Sequence, residues 1–123
     1  MFDLNTLIAK ETAVVAVRHP LKKEPTGMTL TIAGPAADAY QRERRRTAKA
    51  RFDAGAVTIE GIEGAALDLL VACVTAWSGF QINGEELPCT PENVRKVLSI
   101  PGLYWLKDFI DTEVANLGNF LTI

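Results

Sequence analysis

The fold depends on residues 77–98, WSGFQINGEELPCTPENVRKVL. A hydrophobic helix is predicted to end at Trp77, and Gly79 stands where a helix C-terminus favours a residue that tolerates positive φ. Asn83 and Gly84, between short apolar runs, predict a tight two-residue turn, because Asn-Gly adopts the backbone angles that such turns require. The stretch therefore predicts a helix end followed by a small hairpin.

A second helix is predicted to begin directly after this hairpin. Thr90 offers a side-chain oxygen as N-cap, and Pro91 fits the first helical position because it lacks an N–H group. Glu92 places a carboxylate near the positive end of the helix dipole. The helix is predicted to continue to Leu98 and to end before Pro101.

These residues resemble the motif of the tail assembly chaperones of long-tailed, lambda-like phages. In that family a Trp and a Gly precede (S/T)PEN and an apolar helix, in the C-terminal half of a chain of about this length. Residues 19–34 are similar to the family's N-terminal segment, so the resemblance covers most of the chain. The residues that match the motif are Trp77, Gly79, Pro91, Glu92 and Asn93.

The resemblance implies a function without catalysis. Such chaperones coat the tape measure protein and keep it soluble in the host cytoplasm, and they leave before the virion is complete. They self-associate, and many make a longer form by programmed ribosomal frameshifting, which would recruit the major tail tube protein. Codons for residues 115–117 or 118–120 could contain a slippery heptamer, which predicts such a form here.

Length and composition predict one domain spanning residues 1–123. The chain is 48% hydrophobic and 23% charged, an ordinary globular composition that argues against general disorder. No apolar run reaches the roughly 18 residues that a membrane span needs, and the N-terminus lacks a basic segment followed by a hydrophobic one. We therefore expect a soluble protein with no membrane partner.

The first half of the chain predicts a β-hairpin and a helix. A short helix within residues 1–11 is too small to stand alone and must lean on another element. Strands are predicted at residues 12–18 and 28–33, joined by a polar loop, because the first is β-branched and the second alternates apolar with polar residues. Strong helix formers then predict a helix over residues 36–54.

The second half predicts a helical body, which makes the fold α+β with an N-terminal β-hairpin. Residues 56–64 are predicted to be irregular or briefly extended. Residues 65–77 are almost wholly apolar, which predicts a central helix. The last helix, over residues 102–117, has a core-facing stripe formed by Leu103, Leu106, Ile110, Val114 and Leu117.

Charge is segregated along the chain. Residues 42–51 contain six basic side chains and one acid, whereas residues 52–94 contain seven acids and no Lys or Arg. We hypothesise that the basic block of one subunit meets the acidic segment of the next, a head-to-tail contact that builds rings or open helices. The stripe at helical spacing within the basic block comprises Arg42, Arg45, Arg46 and Lys49.

This stripe has three interpretations: a solvated helix face, a nucleic-acid contact or a protein contact. Nucleic acid is disfavoured because the chain is acidic overall and no base-reading motif accompanies the stripe. A second candidate for partner binding is the pair Trp105 and Phe109, four residues apart beside the core stripe. The alternative is that both aromatic side chains belong to the core.

Catalytic, cofactor and metal sites are not expected. His19 is the only histidine, and a solvent-exposed loop position is the favoured interpretation. Cys73 and Cys89 have neither CxxC spacing nor a disulfide framework, and they are expected to be buried or unreactive thiols. Beside the chaperone hypothesis stand two alternatives, a structural tail or connector subunit of the virion and a nucleic-acid-binding module.

Overall fold

The computed structural model describes residues 1–121 and has the α+β fold that the sequence predicts. Its elements are a 3-10 turn (Leu4–Leu7), β1 (Thr12–Arg18), β2 (Pro25–Ala33), α1 (Asp38–Ala54), α2 (Ile59–Cys73), β3 (Val74–Ser78), β4 (Gln81–Ile82), β5 (Glu85–Glu86), α3 (Pro91–Leu98), a 3-10 turn (Pro101–Leu103), α4 (Tyr104–Ala115) and a 3-10 turn (Leu117–Asn119).

The predicted N-terminal β-hairpin is confirmed. β1 pairs antiparallel with β2, and β2 begins at Pro25, three residues earlier than predicted. Val15 and Val17 of β1 are buried, whereas Val14 between them is 70% exposed. One face of the hairpin therefore packs on the core, and the other is open, because successive strand side chains point to opposite faces.

The predicted helix over residues 65–77 is wrong at its C-terminal end. α2 ends at Cys73, and the next five residues form β3, which pairs antiparallel with β2 to give the sheet order β1-β2-β3. Val74 and Thr75 are β-branched and favour this strand. The hydroxyls of Thr29 and Ser78 lie 2.7 Å apart across the pair. Pairing with β2 thus overrides the apolar run that predicted a longer helix.

The predicted irregular segment over residues 56–64 is also wrong, because α2 begins at Ile59. The Thr58 side chain caps the helix by accepting a hydrogen bond from the Gly61 backbone N–H at 2.9 Å. Only the C-terminal end of α2 is buried, at Leu70, Val71 and Cys73. The helix is therefore not the fully buried central helix that its composition indicated.

Gly79 lies in a turn after β3 and not at a helix C-terminus. Its φ of +77° is the positive value that the sequence predicts, but the reason is different. A Cβ at this position would overlap the Gly27 carbonyl oxygen, so the turn also needs the space that only glycine leaves. The Asn83-Gly84 turn between β4 and β5 is confirmed, with positive φ at both residues.

The remaining helices agree with the sequence to within two residues. α1 ends at Gly55, whose φ is +69°, and Thr90 caps α3 by accepting from the Asn93 N–H at 3.1 Å. α4 is shorter than the predicted 102–117 because 3-10 turns flank it. Its buried stripe is Leu106, Ile110 and Val114, whereas Leu117 is 60% exposed.

The hydrophobic core lies between the inner face of the sheet and the helices α2, α3 and α4. Its largest fully buried side chains belong to every layer: Phe120, Leu30, Ile32, Ile110, Val17, Val94 and Cys73. No helix in residues 1–121 is both long and apolar enough to cross a membrane.

The N-terminal segment does not form the helix expected to lean on the body. It contains one 3-10 turn, capped by Asp3, and has no buried residue. Its large apolar side chains are all exposed: Met1, Phe2, Leu4, Leu7 and Ile8. A single 3-10 turn is too short to bury an apolar face.

Replacing Gly79 by alanine is expected to destabilise the fold by about 2–4 kcal/mol, since a positive φ costs an L-residue roughly 1–2 kcal/mol and the Cβ also meets the Gly27 carbonyl. Gly84→Ala is the matched control: its φ is +80°, but a Cβ there meets nothing within 4 Å. Urea unfolding of both variants gives the two free energies. Equal losses would show that the close approach at Gly79 is energetically unimportant.

Candidate partner-binding surfaces

Trp105 and Phe109 lie at the edge of the core and not on a free surface. Both side chains are partly buried on α4 and pack against the core cluster. They also line an open cleft of about 660 Å³ beside β1, together with Val14, Arg18 and other residues. The two sequence interpretations, core and contact surface, therefore both describe part of their environment.

Much of the basic stripe is neutralised within the chain. Arg42 Nε lies 2.7 Å from the Asp38 carboxylate, and Lys49 Nζ lies 3.7 Å from that of Asp53. Arg46 is held by two acids, as described below. The interpretation of residues 42–51 as one open basic face thus holds for only some of its members.

Asp68 of α2 joins three helices. Its two carboxylate oxygens accept hydrogen bonds from Arg46 on α1, at 3.0 Å, and from Arg95 on α3. Arg46 also makes a bidentate contact with Glu43, donating from Nε to Oε2 and from Nη2 to Oε1. Hydrogen bonding to Glu43 and the negative charge of Glu43, with smaller contributions from Asp68, raise the pKa of Arg46. These residues line a second cleft, and their role there is to connect helices.

Three basic residues of α1 remain for an external partner. In the described part of the chain, no carboxylate lies within the 4.0 Å ion-pair distance of Arg44, Arg45 or Arg51. The Arg44 guanidinium lies over the Tyr40 ring, 5.9 Å from its centroid. An acidic partner would therefore meet Arg45 and Arg51 first.

The structure does not bring the two predicted binding sets together. Trp105 and Phe109 lie beside β1, whereas the basic stripe is on α1, whose principal neighbour is α2. They form two separate candidate surfaces.

The family-motif residues hold the structure together locally. The Trp77 indole N–H donates to the Leu87 carbonyl at 2.7 Å, and its ring stacks on Phe80 at 4.5 Å between centroids. The Asn93 side-chain amide donates to the Pro88 carbonyl at 2.9 Å. Pro91 is at the start of α3, and Glu92 is in its exposed first turn. The motif thus fixes β3, the β4–β5 hairpin and α3 relative to one another.

A third surface, which the sequence composition did not predict, is the hairpin tip. We define it as residues 48–64, comprising the end of α1, the start of α2 and their connection. Every residue of the tip is exposed. The missed signal was the capping residue Thr58, which extends α2 back to Ile59 and so carries this apolar segment away from the core. Its large apolar side chains are Phe52, Val57, Ile59 and Ile62.

A cleft of about 560 Å³ runs between α1 and α2 at the tip. Much of its lining is small side chains, which allow another helix to approach closely: Ala50, Ala54, Gly61, Gly64 and Ala65.

In residues 1–121, no group of three or more His, Cys, Asp or Glu residues could hold a metal ion. His19 was expected to be solvent-exposed, but it is partly buried. Its Nδ1 accepts from the backbone N–H groups of Leu21 and Lys22, so the ring orders the loop between β1 and β2.

Comparison of the chain with family models, curated proteins and solved structures finds no match.

The two thiols should differ in reactivity. Both cysteines are free. Burial, with a smaller contribution from the charge of Glu43, raises the pKa of Cys73 to about 12. Cys89 is only partly buried, and burial also raises its pKa. Because the thiolate is the reactive form, Cys89 should react first with a disulfide reagent at pH 8, and Cys73 only on unfolding. Mass spectrometry of Cys73→Ser and Cys89→Ser variants assigns the rates, and fast labelling of native Cys73 would contradict this.

Proposed function

We propose that this protein is a non-catalytic tail assembly chaperone that binds the tape measure protein of a long-tailed phage and keeps it soluble. The resemblance of residues 77–94 to that family supports the proposal. The structural observation that carries it is the hairpin tip, which presents four large apolar side chains on an exposed helical pair. Exposed apolar patches of this kind mark interaction surfaces.

The tip suits a long helical partner. Much of the α1–α2 cleft is lined by small residues, and Phe52, which does not line the cleft, is exposed near the end of α1. An amphipathic helix binds such a groove through apolar residues at spacings of three and four. Arg51, which lines the cleft, would then face acidic residues flanking the apolar stripe of that helix. The occupant we propose is therefore an amphipathic helix of the tape measure protein with acidic flanks.

The same proposal includes self-association and recruitment of tail tube subunits through a longer frameshifted form. For the charge-based head-to-tail contact, the structure favours Arg44, Arg45 and Arg51 as the contributing cations, because Arg42, Arg46 and Lys49 have acidic partners in their own chain.

Replacing Phe52 and Ile59 by serine should reduce the soluble fraction of co-expressed tape measure protein at least fivefold, because it removes two apolar side chains of the tip. Both side chains are exposed, so the substitutions leave the core unchanged. The matched control is Leu21→Ser with Leu117→Ser, two exposed apolar residues outside the tip. Centrifugation and blotting of the partner, encoded in the same phage genome, measure the effect. Equal solubility with both double variants would contradict the assignment of the tip.

Expression from the native gene with its downstream DNA and a tag at Met1 should give a minor longer product beside the 123-residue protein. Silent changes to the codons for residues 115–120 should abolish the longer band and leave the shorter one. Purified virions should contain neither product, since a chaperone leaves before completion. Abundant protein in finished particles would instead favour a structural tail or connector subunit.

A further inference from the structure

The outer edge of β1 has unpaired backbone groups. The Gly34 N–H donates to the Glu11 carbonyl at 2.8 Å, which sets the alternation of the β1–β2 ladder. By that alternation, the N–H and C=O groups of Thr12, Val14 and Ala16 point away from β2. Within residues 1–121 they have no backbone partner. The strand can therefore accept one more strand.

This edge lacks the protection that edge strands usually have. Lysine, proline and inward charges normally prevent pairing with other chains. Residues 12–17, TAVVAV, contain none of these, and the Val14 side chain is 70% exposed. A β-branched edge of this composition is expected to be covered in the functional assembly.

The cleft beside this edge has aromatic and charged walls. Trp105 and Phe109 supply the aromatic wall, and Arg18 and Lys23 lie at the C-terminal end of β1. Glu113 also lines the cleft, and its carboxylate accepts a hydrogen bond from the Asn119 side chain. The neighbouring residue, Phe120, accepts from the Lys10 N–H through its carbonyl, which places Glu113 towards the N-terminal end of β1. The cleft is thus basic at one end of β1 and acidic towards the other.

The N-terminal arm, defined as residues 2–8, is mainly apolar and has one acidic residue, Asp3, which suits the basic end of the cleft. Its apolar side chains are exposed, and only a single 3-10 turn capped by Asp3 organises it. In an extended conformation Phe2, Leu4, Thr6 and Ile8 would share one face, because strand side chains alternate.

We propose that the N-terminal arm of one copy adds as an antiparallel strand to the β1 edge of a second copy. With Asp3 opposite Arg18, Leu4 lies opposite Val17 and Ile8 opposite Ala13. The apolar face of the arm is then on the same side of the sheet as Val17, towards Trp105 and Phe109. A slip of one residue would move this face to the open side of the sheet.

The arm cannot reach the β1 edge of its own chain without breaking existing contacts. A return in the same register would place the turn at Lys10-Glu11, but the Lys10 N–H binds Phe120 and the Glu11 carbonyl binds Gly34. A two-residue hairpin turn also needs positive φ, for which Lys-Glu is poorly suited. The strand must therefore come from another copy.

This contact depends on self-association, which the proposed function includes, but not on the tape measure protein. Failure to bind that protein would leave the inference intact.

Hydrogen exchange measured by NMR on the full chain tests the contact. As the protein concentration and the mass of the assembly in solution rise, exchange at the amides of Thr12, Val14 and Ala16 should slow at least tenfold. The exchange rates of the Ala13 and Val15 amides, which are already bonded to β2, should change little. A monomer at all concentrations, or assembly without slower exchange at those three amides, would overturn the proposal.

Variants separate the edge from the open sheet face. Val14→Pro removes one outward N–H. Val14→Lys retains the backbone N–H but places a lysine on the edge strand. Each substitution should abolish assembly, and so should deletion of residues 2–8. Ala76→Lys, exposed on the same face in β3, is the control and should assemble normally. If Ala76→Lys also prevents assembly, or the deletion does not, the strand exchange is wrong.

Discussion

The pairing of β3 with β2 is the interaction on which the rest of the structure depends. Residues 29–31 pair with residues 76–78, and this pairing takes the chain out of α2 at Cys73 although the apolar run continues. Trp77 is thereby placed against Phe80 and the Leu87 carbonyl. The β4–β5 hairpin and the start of α3 follow from that placement, so an N-terminal hairpin and a C-terminal helical body become one unit.

A second constraint concerns the helical pair α1–α2. Asp68 connects α2 to α1 through Arg46 and to α3 through Arg95, near the base of the pair. Such partly exposed ion pairs contribute roughly 0–1 kcal/mol each, so they orient the helices more than they stabilise them. α1 has no buried residue, and α2 is buried only towards its C-terminus. The base is therefore anchored while the tip stays exposed.

The hairpin-tip contact and the arm exchange use different elements, which lets these two contacts coexist. The hairpin tip belongs to α1 and α2, whereas the arm exchange uses β1 and the cleft beside α4. An assembled protein could thus keep its tips available to a helical partner. The motif residues, by contrast, lie between these surfaces in the sequence and act on the fold, since Trp77 and Asn93 use their polar groups to bind backbone carbonyls.

Local chemistry determined much of this protein from the sequence alone: the β1–β2 hairpin, the Asn83-Gly84 turn and the cap of α3 all depend on residues close together in the chain. The end of α2 at Cys73 and the contacts of Asp68 with Arg46 and Arg95 could not be predicted in the same way. Each depends on partners between about 20 and 50 residues away, such as β2 for β3 and Asp68 for Arg46. Periodicity identifies an apolar face, but only the tertiary structure decides which apolar residues find a place in the core.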